Sequence, residues 1–104
     1  MYKIADFKEN LDLRKIAITK HARIRLEERH IRIDDVVTAI KNGEIIKQYI
    51  DDKPLPSCLI LGKDKNNKPI HLLISKDEEF IYLITAYYPN ETIWNNDFND
   101  RRKK

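Results

Sequence analysis

Four apolar segments, set apart by short polar turns, decide what this chain can fold into. Residues 44–50, 57–62, 69–75 and 80–88 are rich in Ile, Leu and Tyr and have the length of strands. The separators Asp51-Asp52-Lys53-Pro54, Asp64-Lys65-Asn66-Asn67-Lys68 and Lys76-Asp77-Glu78-Glu79 carry turn-forming residues. Connections this short cannot make the crossover that parallel neighbours need, so an antiparallel meander is expected. Cys58-Leu59-Ile60-Leu61 and Ile81-Tyr82-Leu83-Ile84 are apolar at every position. The central strands should therefore be covered on both faces over part of their length.

Before Gly43 the period is helical. Thr19 offers an N-cap for a helix over 20–29, in which Ile18, Ala22 and Leu26 line up along one stripe. Asp34 offers a second N-cap, Asp35 sits where the helix dipole favours an acid, and Val36, Val37 and Ile40 form a buried side. Asn42-Gly43 then supplies a C-terminal stop. In residues 1–17, Ile4, Phe7, Leu11 and Ile16 are spaced like a helical stripe, but Asp6, Asn10 and Asp12 weaken it, so the stretch reads as a short helix or an irregular lead-in. The expected organisation is a lead-in over 1–17, one domain over 18–94 and a polar, basic tail over 95–104. The expected class is α+β, with two N-terminal helices packed on a four-stranded antiparallel meander.

Chemistry is harder to place. On the first helix His21, Arg25 and Arg29 fall at i, i+4 and i+8, along or beside the apolar stripe, which turns them toward the protein body. Arginine is seldom buried without a partner, so this ridge has either a structural or a chemical reason. The guanidinium fork fits phosphate oxygens and an imidazole titrates near neutral pH, which makes the ridge a candidate phosphate site. The bland alternative is that the arginines pair with nearby acids and pack only their stems.

In Pro69-Ile70-His71-Leu72-Leu73-Ile74-Ser75, His71 shares a face with Leu73 and Ser75. Thr85 and Tyr87 share a face of the last strand. Whether that face is also the one of His71 depends on the hairpin register, which a one-residue slip reverses. His21, His30, Cys58 and His71 lack the short spacing of a metal motif, so neither metal nor cofactor is expected. Cys58 lies in an apolar strand and reads as an inert small hydrophobe.

Composition adds bounds. The 104 residues suit one core, and 20 Lys and Arg against 17 Asp and Glu give a formal charge of +3, compatible with an anionic partner. A single cysteine excludes an intrachain disulfide framework. The charged opening Met1-Tyr2-Lys3-Ile4-Ala5-Asp6 lacks the apolar centre of a signal peptide, and no apolar run reaches the ~20 residues of a membrane span. A cytoplasmic protein without membrane contact is the expectation; oligomeric state is not readable.

The segment running from Ile18 through His21-Ala22-Arg23-Ile24-Arg25-Leu26-Glu27-Glu28-Arg29 to Ile46 resembles a family of small prokaryotic proteins known as a domain of unknown function. So do Pro56-Ser57-Cys58-Leu59, the 69–75 strand and Thr85-Ala86-Tyr87. That family has a His-Ala-x-x-Arg-x-x-x-Arg helix, and it usually has Gly where this chain has His30. Its members resemble RelE-like ribonuclease toxins of the barnase, EndoU, colicin and RelE grouping. They are often paired with a small antitoxin, in many cases a zinc-finger protein of the MqsA type.

The resemblance implies a RelE-like fold and a type II toxin that cleaves RNA without a metal. It implies His21 or His71 as base, Arg25 and Arg29 as a phosphorane clamp, and Tyr87 or the other His as acid. Thr85 would lie beside them, and Lys53 would hold a flanking phosphate. The competing expectation is a non-catalytic basic module that docks an acidic protein or nucleic acid.

Overall fold

The structure, a computed structural model, describes residues 1–9, 11–90, 93–94 and 97–100. Asn10 of the lead-in and Arg101-Arg102-Lys103-Lys104 of the basic tail lie outside the described residues. The elements run α1 (Ile4–Lys8), a 3-10 turn (Leu13–Lys15), β1 (Ile16–Ile18), α2 (Lys20–Glu28), α3 (Ile33–Asn42), β2 (Glu44–Tyr49), β3 (Ser57–Lys63), β4 (Pro69–Lys76) and β5 (Ile81–Tyr87). Among the described residues the class is α+β, with three α-helices and a five-stranded mixed sheet.

Strands β2 to β5 form the expected meander, in the order β1-β5-β4-β3-β2. The expectation of four strands is corrected by β1, which pairs in parallel with β5 from Ile16 opposite Ile81 to Ile18 opposite Leu83. Ile16-Ala17-Ile18 is too short to show a period of two, and its partner is at the other end of the domain. Nothing local announces it.

Helices α2 and α3 cover one face of the sheet, α2 over β5 and α3 over β3. Ala22, Leu26, Val36, Ala39 and Ile40 meet Cys58, Ile60, Ile70, Leu72, Ile74, Leu83 and Ala86 in one core. The first residues belong to that core rather than leading into it. Phe7 on α1 has no exposed surface, and burial of such a ring contributes about 1.5–3 kcal/mol. The Tyr2 hydroxyl accepts from the Lys76 backbone N–H at 3.1 Å and lies 2.9 Å from the Pro56 carbonyl, which ties the N-terminus to two loops.

The ends of the helices show which local signals acted. Thr19 caps α2 as expected, its hydroxyl accepting from the Ala22 N–H at 3.1 Å. Asp34 is not the cap of α3. Arg32 holds that position, and Asp35 reaches back to accept its N–H at 3.1 Å. The other Asp35 oxygen accepts from the Lys65 N–H at 3.1 Å, so one buried carboxylate joins α3 to the β3–β4 turn. Gly43 does end α3, but with φ −87° it is not there for a left-handed turn. A Cβ at Gly43 would strike the Ala39 carbonyl and Ile60, and one at Gly62 would strike Ala39 as well. The two glycines let α3 lie close on β3.

His30 does adopt a left-handed conformation, with φ 56°. It follows α2 in a Schellman turn, where the Ile31 N–H donates to the Leu26 carbonyl at 2.9 Å and the His30 N–H to Glu27 at 3.3 Å. A side chain in this conformation costs about 1–2 kcal/mol, whereas glycine adopts it freely at a smaller entropic cost. His30→Gly should therefore stabilise the protein by about 0.5–1 kcal/mol, read as a higher urea midpoint at unchanged slope, and His30→Val should lower that midpoint.

Candidate functional site

A bulge decides which side chains meet. Counting back from the β4–β5 hairpin, Lys76 pairs with Ile81, Ser75 with Tyr82 and Ile74 with Leu83. The register then shifts, so that Leu73 pairs with Thr85, Leu72 with Ala86 and His71 with Tyr87. An unbroken β5 would put Thr85 and Tyr87 on the core face beside Leu83. The extra residue, Ile84, turns both of them to the opposite face, where His71 lies.

That outer face is partly covered by residues after β5. Trp94, 3% exposed, sets its ring edge-on to His71 with centroids 4.4 Å apart. The Phe98 carbonyl lies 2.7 Å from Nε2 of His71. Farther across, Asp100 pairs with Lys47 of β2 at 3.5 Å.

His71 thus has no exposed surface, yet both its nitrogens are engaged. A carbonyl only accepts, so Nε2 carries the proton and Nδ1 accepts from the Tyr87 hydroxyl at 3.1 Å. Burial pushes the imidazole below its ordinary value of 6.5, and the Phe98 carbonyl opposes this only in part. The ring is neutral at pH 7.

Arg29 approaches from the other side of the sheet. β1 stops opposite Leu83 and leaves the carbonyl of Ala86 without a strand partner there. Nη1 of Arg29 donates to that carbonyl at 2.7 Å and lies 3.4 Å from the Thr85 hydroxyl. Arg29 and Tyr87 then line one open groove of about 460 Å³ with Tyr88, Asn90, Ile93 and Trp94. A hollow of about 480 Å³ on the opposite end of the sheet is lined by Asp6, Glu9, Asp12, Glu78 and Glu79 together with Lys15 and Lys76. Its predominantly acidic wall suits a phosphate poorly.

Of the residues singled out from the sequence, the structure brings together Arg29, His71, Thr85 and Tyr87. It does not bring His21, Arg25 or Lys53 to them. His21 is exposed and lies two helical turns, about 12 Å, before Arg29. Arg25 points outward, its side chain 52% exposed and paired with Glu28 at 3.0 Å, which corrects the inward-facing ridge. The stripe of α2 is narrow, carrying only Ala22 and Leu26 as buried residues, so Arg25 falls outside it. Lys53 is exposed in the loop that enters β3 at Ser57, four residues along β3 from Leu61, the partner of His71. At ~3.3 Å per residue, that entry point, Ser57, is about 13 Å from Leu61.

Trp94 and Phe98 were missed, because neither sits in a periodic segment. Tyr88 and Asp64 were missed too. The Tyr88 hydroxyl donates to the buried Asp64 at 2.7 Å, and Asp64 also accepts from the N–H groups of Asn66 and Lys68 at 2.8 and 2.9 Å. Burial alone would raise the Asp64 carboxyl, but these donors together hold it below the usual carboxylate value. Burial, with Asp64 behind it, pushes the Tyr88 phenol up. Cys58 is fully buried and its thiol is pushed up to about 12 by that burial and by Asp6, so it is inert as expected. Among the described residues no three metal-ligating side chains are grouped, and no helix is long and apolar enough to cross a membrane.

Residues 18–88 match the family described as Domain of unknown function (DUF4258). The chain is a DUF4258 protein. No curated protein and no solved structure matches it. Within this DUF4258 domain fall Arg29, His71, Thr85, Tyr87 and Tyr88, while Trp94 and Phe98 lie beyond the matched residues.

The buried imidazole makes stability depend on pH. Its folded pKa is below its unfolded one, so the unfolded chain binds more protons as the pH falls. The stabilisation is complete above about 6.5 and is lost on acidification through the folded pKa. The depressed carboxyls of Asp64 and Asp77 act in a separate window, below about 3.9. The urea midpoint should decline from pH 7 to pH 5 in the wild type, and that decline should flatten in His71→Gln.

Proposed function

We propose that this DUF4258 protein is a RelE-like, metal-independent endoribonuclease, the toxin of a type II toxin–antitoxin pair. RNA would be its substrate and a cognate antitoxin, such as a zinc-finger protein of the MqsA type, its partner. The observation that carries this reading is the meeting of Arg29 with the Tyr87–His71 pair at one groove.

The chemistry follows from the hydrogen-bond directions. The Tyr87 hydroxyl donates a hydrogen bond to Nδ1 of His71, so its oxygen faces any further group as an acceptor. A ribose 2′-hydroxyl placed there passes its proton to Tyr87 while Tyr87 passes its own to His71. The freed 2′-oxygen attacks the adjacent phosphorus, the bond to the 5′-oxygen breaks, and that oxygen takes a proton from water in the open groove, whose hydroxide recovers the proton from His71 through Tyr87. The Phe98 carbonyl steadies the imidazolium that forms. Arg29 keeps Nη2 and Nε for the charge on the phosphorane, Nη1 being held by Ala86 and Thr85. His21 and Arg25, exposed on α2, would meet flanking phosphates and act on binding alone. Lys53, in the loop before β3, does not line the groove and has no part in this reading.

The complete burial of His71 favours a second reading, a basic module that docks an acidic protein or nucleic acid without turnover. Purified protein incubated with single-stranded RNA distinguishes them. Cleavage should leave 2′,3′-cyclic phosphate ends, survive EDTA and vanish when the 2′-hydroxyls are replaced by hydrogen. Arg29→Ala should slow it by about 10²–10³, the usual loss for a preorganised donor, and Arg29→Lys should restore only part. Arg25→Ala should change KM rather than kcat. RNA binding without any cleavage, on ribosomes as well as free, would establish the second reading instead.

A further inference from the structure

The Tyr87–His71 pair has a third member, the Phe98 carbonyl, which acts before any proton moves. A neutral imidazole can carry its proton on either nitrogen, and the two forms give Tyr87 opposite roles. With the proton on Nε2, Nδ1 accepts and Tyr87 must donate to it. With the proton on Nδ1, the imidazole donates, and the Tyr87 proton is turned outward to whatever lies beside it.

What sets the form is the carbonyl of Phe98, 2.7 Å from Nε2. Phe98 itself has φ 58°, a conformation that costs a non-glycine residue about 1–2 kcal/mol. Trp94 closes the space over the same imidazole. A strained carbonyl and a buried indole thus converge on one ring, and neither lies within the residues that match the family.

We infer that Trp94 and Phe98 are positioning residues that fix the His71 tautomer and so set Tyr87 as an acceptor rather than a donor toward the groove. The Phe98 carbonyl is thereby a polarity setting for the site. In place, it makes Tyr87 a base through His71. Displaced, it leaves His71 free to take the other form and makes Tyr87 an acid. The catalytic meaning of this setting rests on the relay proposed above, whereas the tautomer itself does not.

The test uses full-length protein with 15N-labelled imidazoles, studied above the range in which histidine titrates. Wild-type His71 should show one protonated-type and one unprotonated-type nitrogen, assigned as Nε2–H. Phe98→Gly, which can keep a positive φ, should preserve that pattern. Phe98→Pro, whose ring holds φ near −65°, swings the carbonyl away and should lose it, as should Trp94→Ala. The amide spectrum reports folding, and if Trp94→Ala does not fold, the two Phe98 variants decide the matter. In single-turnover RNA cleavage, Phe98→Pro should lower kcat by up to about 10²-fold, the lower end of what a positioned acid–base group supplies, at unchanged KM. An Nδ1–H form in the wild type, or a pure Nε2–H form in Phe98→Pro, overturns the inference. The expected tautomers in a protein that cleaves no RNA would uphold the positioning and reject the ribonuclease.

Discussion

One surplus residue in β5 governs what the sheet can present. A pleated strand alternates faces without exception, so Leu83 facing the core commits Thr85 and Tyr87 to the core as well unless the alternation is broken. The bulge at Ile84 breaks it. Leu83 and Ala86 both face the helices, and Thr85 and Tyr87 both face away, which no regular strand of this sequence could achieve. The contacts of Tyr87 with His71, and of Arg29 with Thr85, are downstream of that local irregularity.

Two costly groups are accommodated by the same device. An arginine at a sheet edge and a histidine with no exposed surface each need a partner, and each finds a backbone carbonyl rather than an acid. A carbonyl offers a fixed direction and no charge, so it orients these side chains without neutralising them. Arg29 keeps its full positive charge at the groove, where a carboxylate partner would have cancelled much of it. His71 keeps one defined tautomer for the same reason.

Much of the fold was legible in the sequence because its signals are local. Thr19 as a cap, Gly43 as a stop and the three turn clusters all sit beside the elements they bound. The strand β1 was not legible, since three apolar residues have no period and the parallel partner is far along the chain. Asp35 displaced Asp34 as the capping acid because its second oxygen could also hold Lys65, a tertiary gain invisible at the level of one helix. At the site, Arg29, His71, Thr85 and Tyr87 could be named but not joined, because the bulge that joins them leaves no pattern in Ile81-Tyr82-Leu83-Ile84. Trp94 and Phe98 could not be named at all, since their role depends on crossing a face of the sheet.

The parallel pairing of β1 with β5 also fixes an order of events during synthesis. β1 and α2 leave the ribosome before every other strand, yet both pack on β5, the last strand to appear. The hairpins of β2, β3 and β4 can close as they emerge, with α3 laid over β3, because their partners are near neighbours. The native contacts of β1 and α2 with β5 cannot form until the chain has been made through Tyr87. The arrival of one strand therefore completes both the parallel edge of the sheet and the contact of α2 with it, on which the position of Arg29 depends.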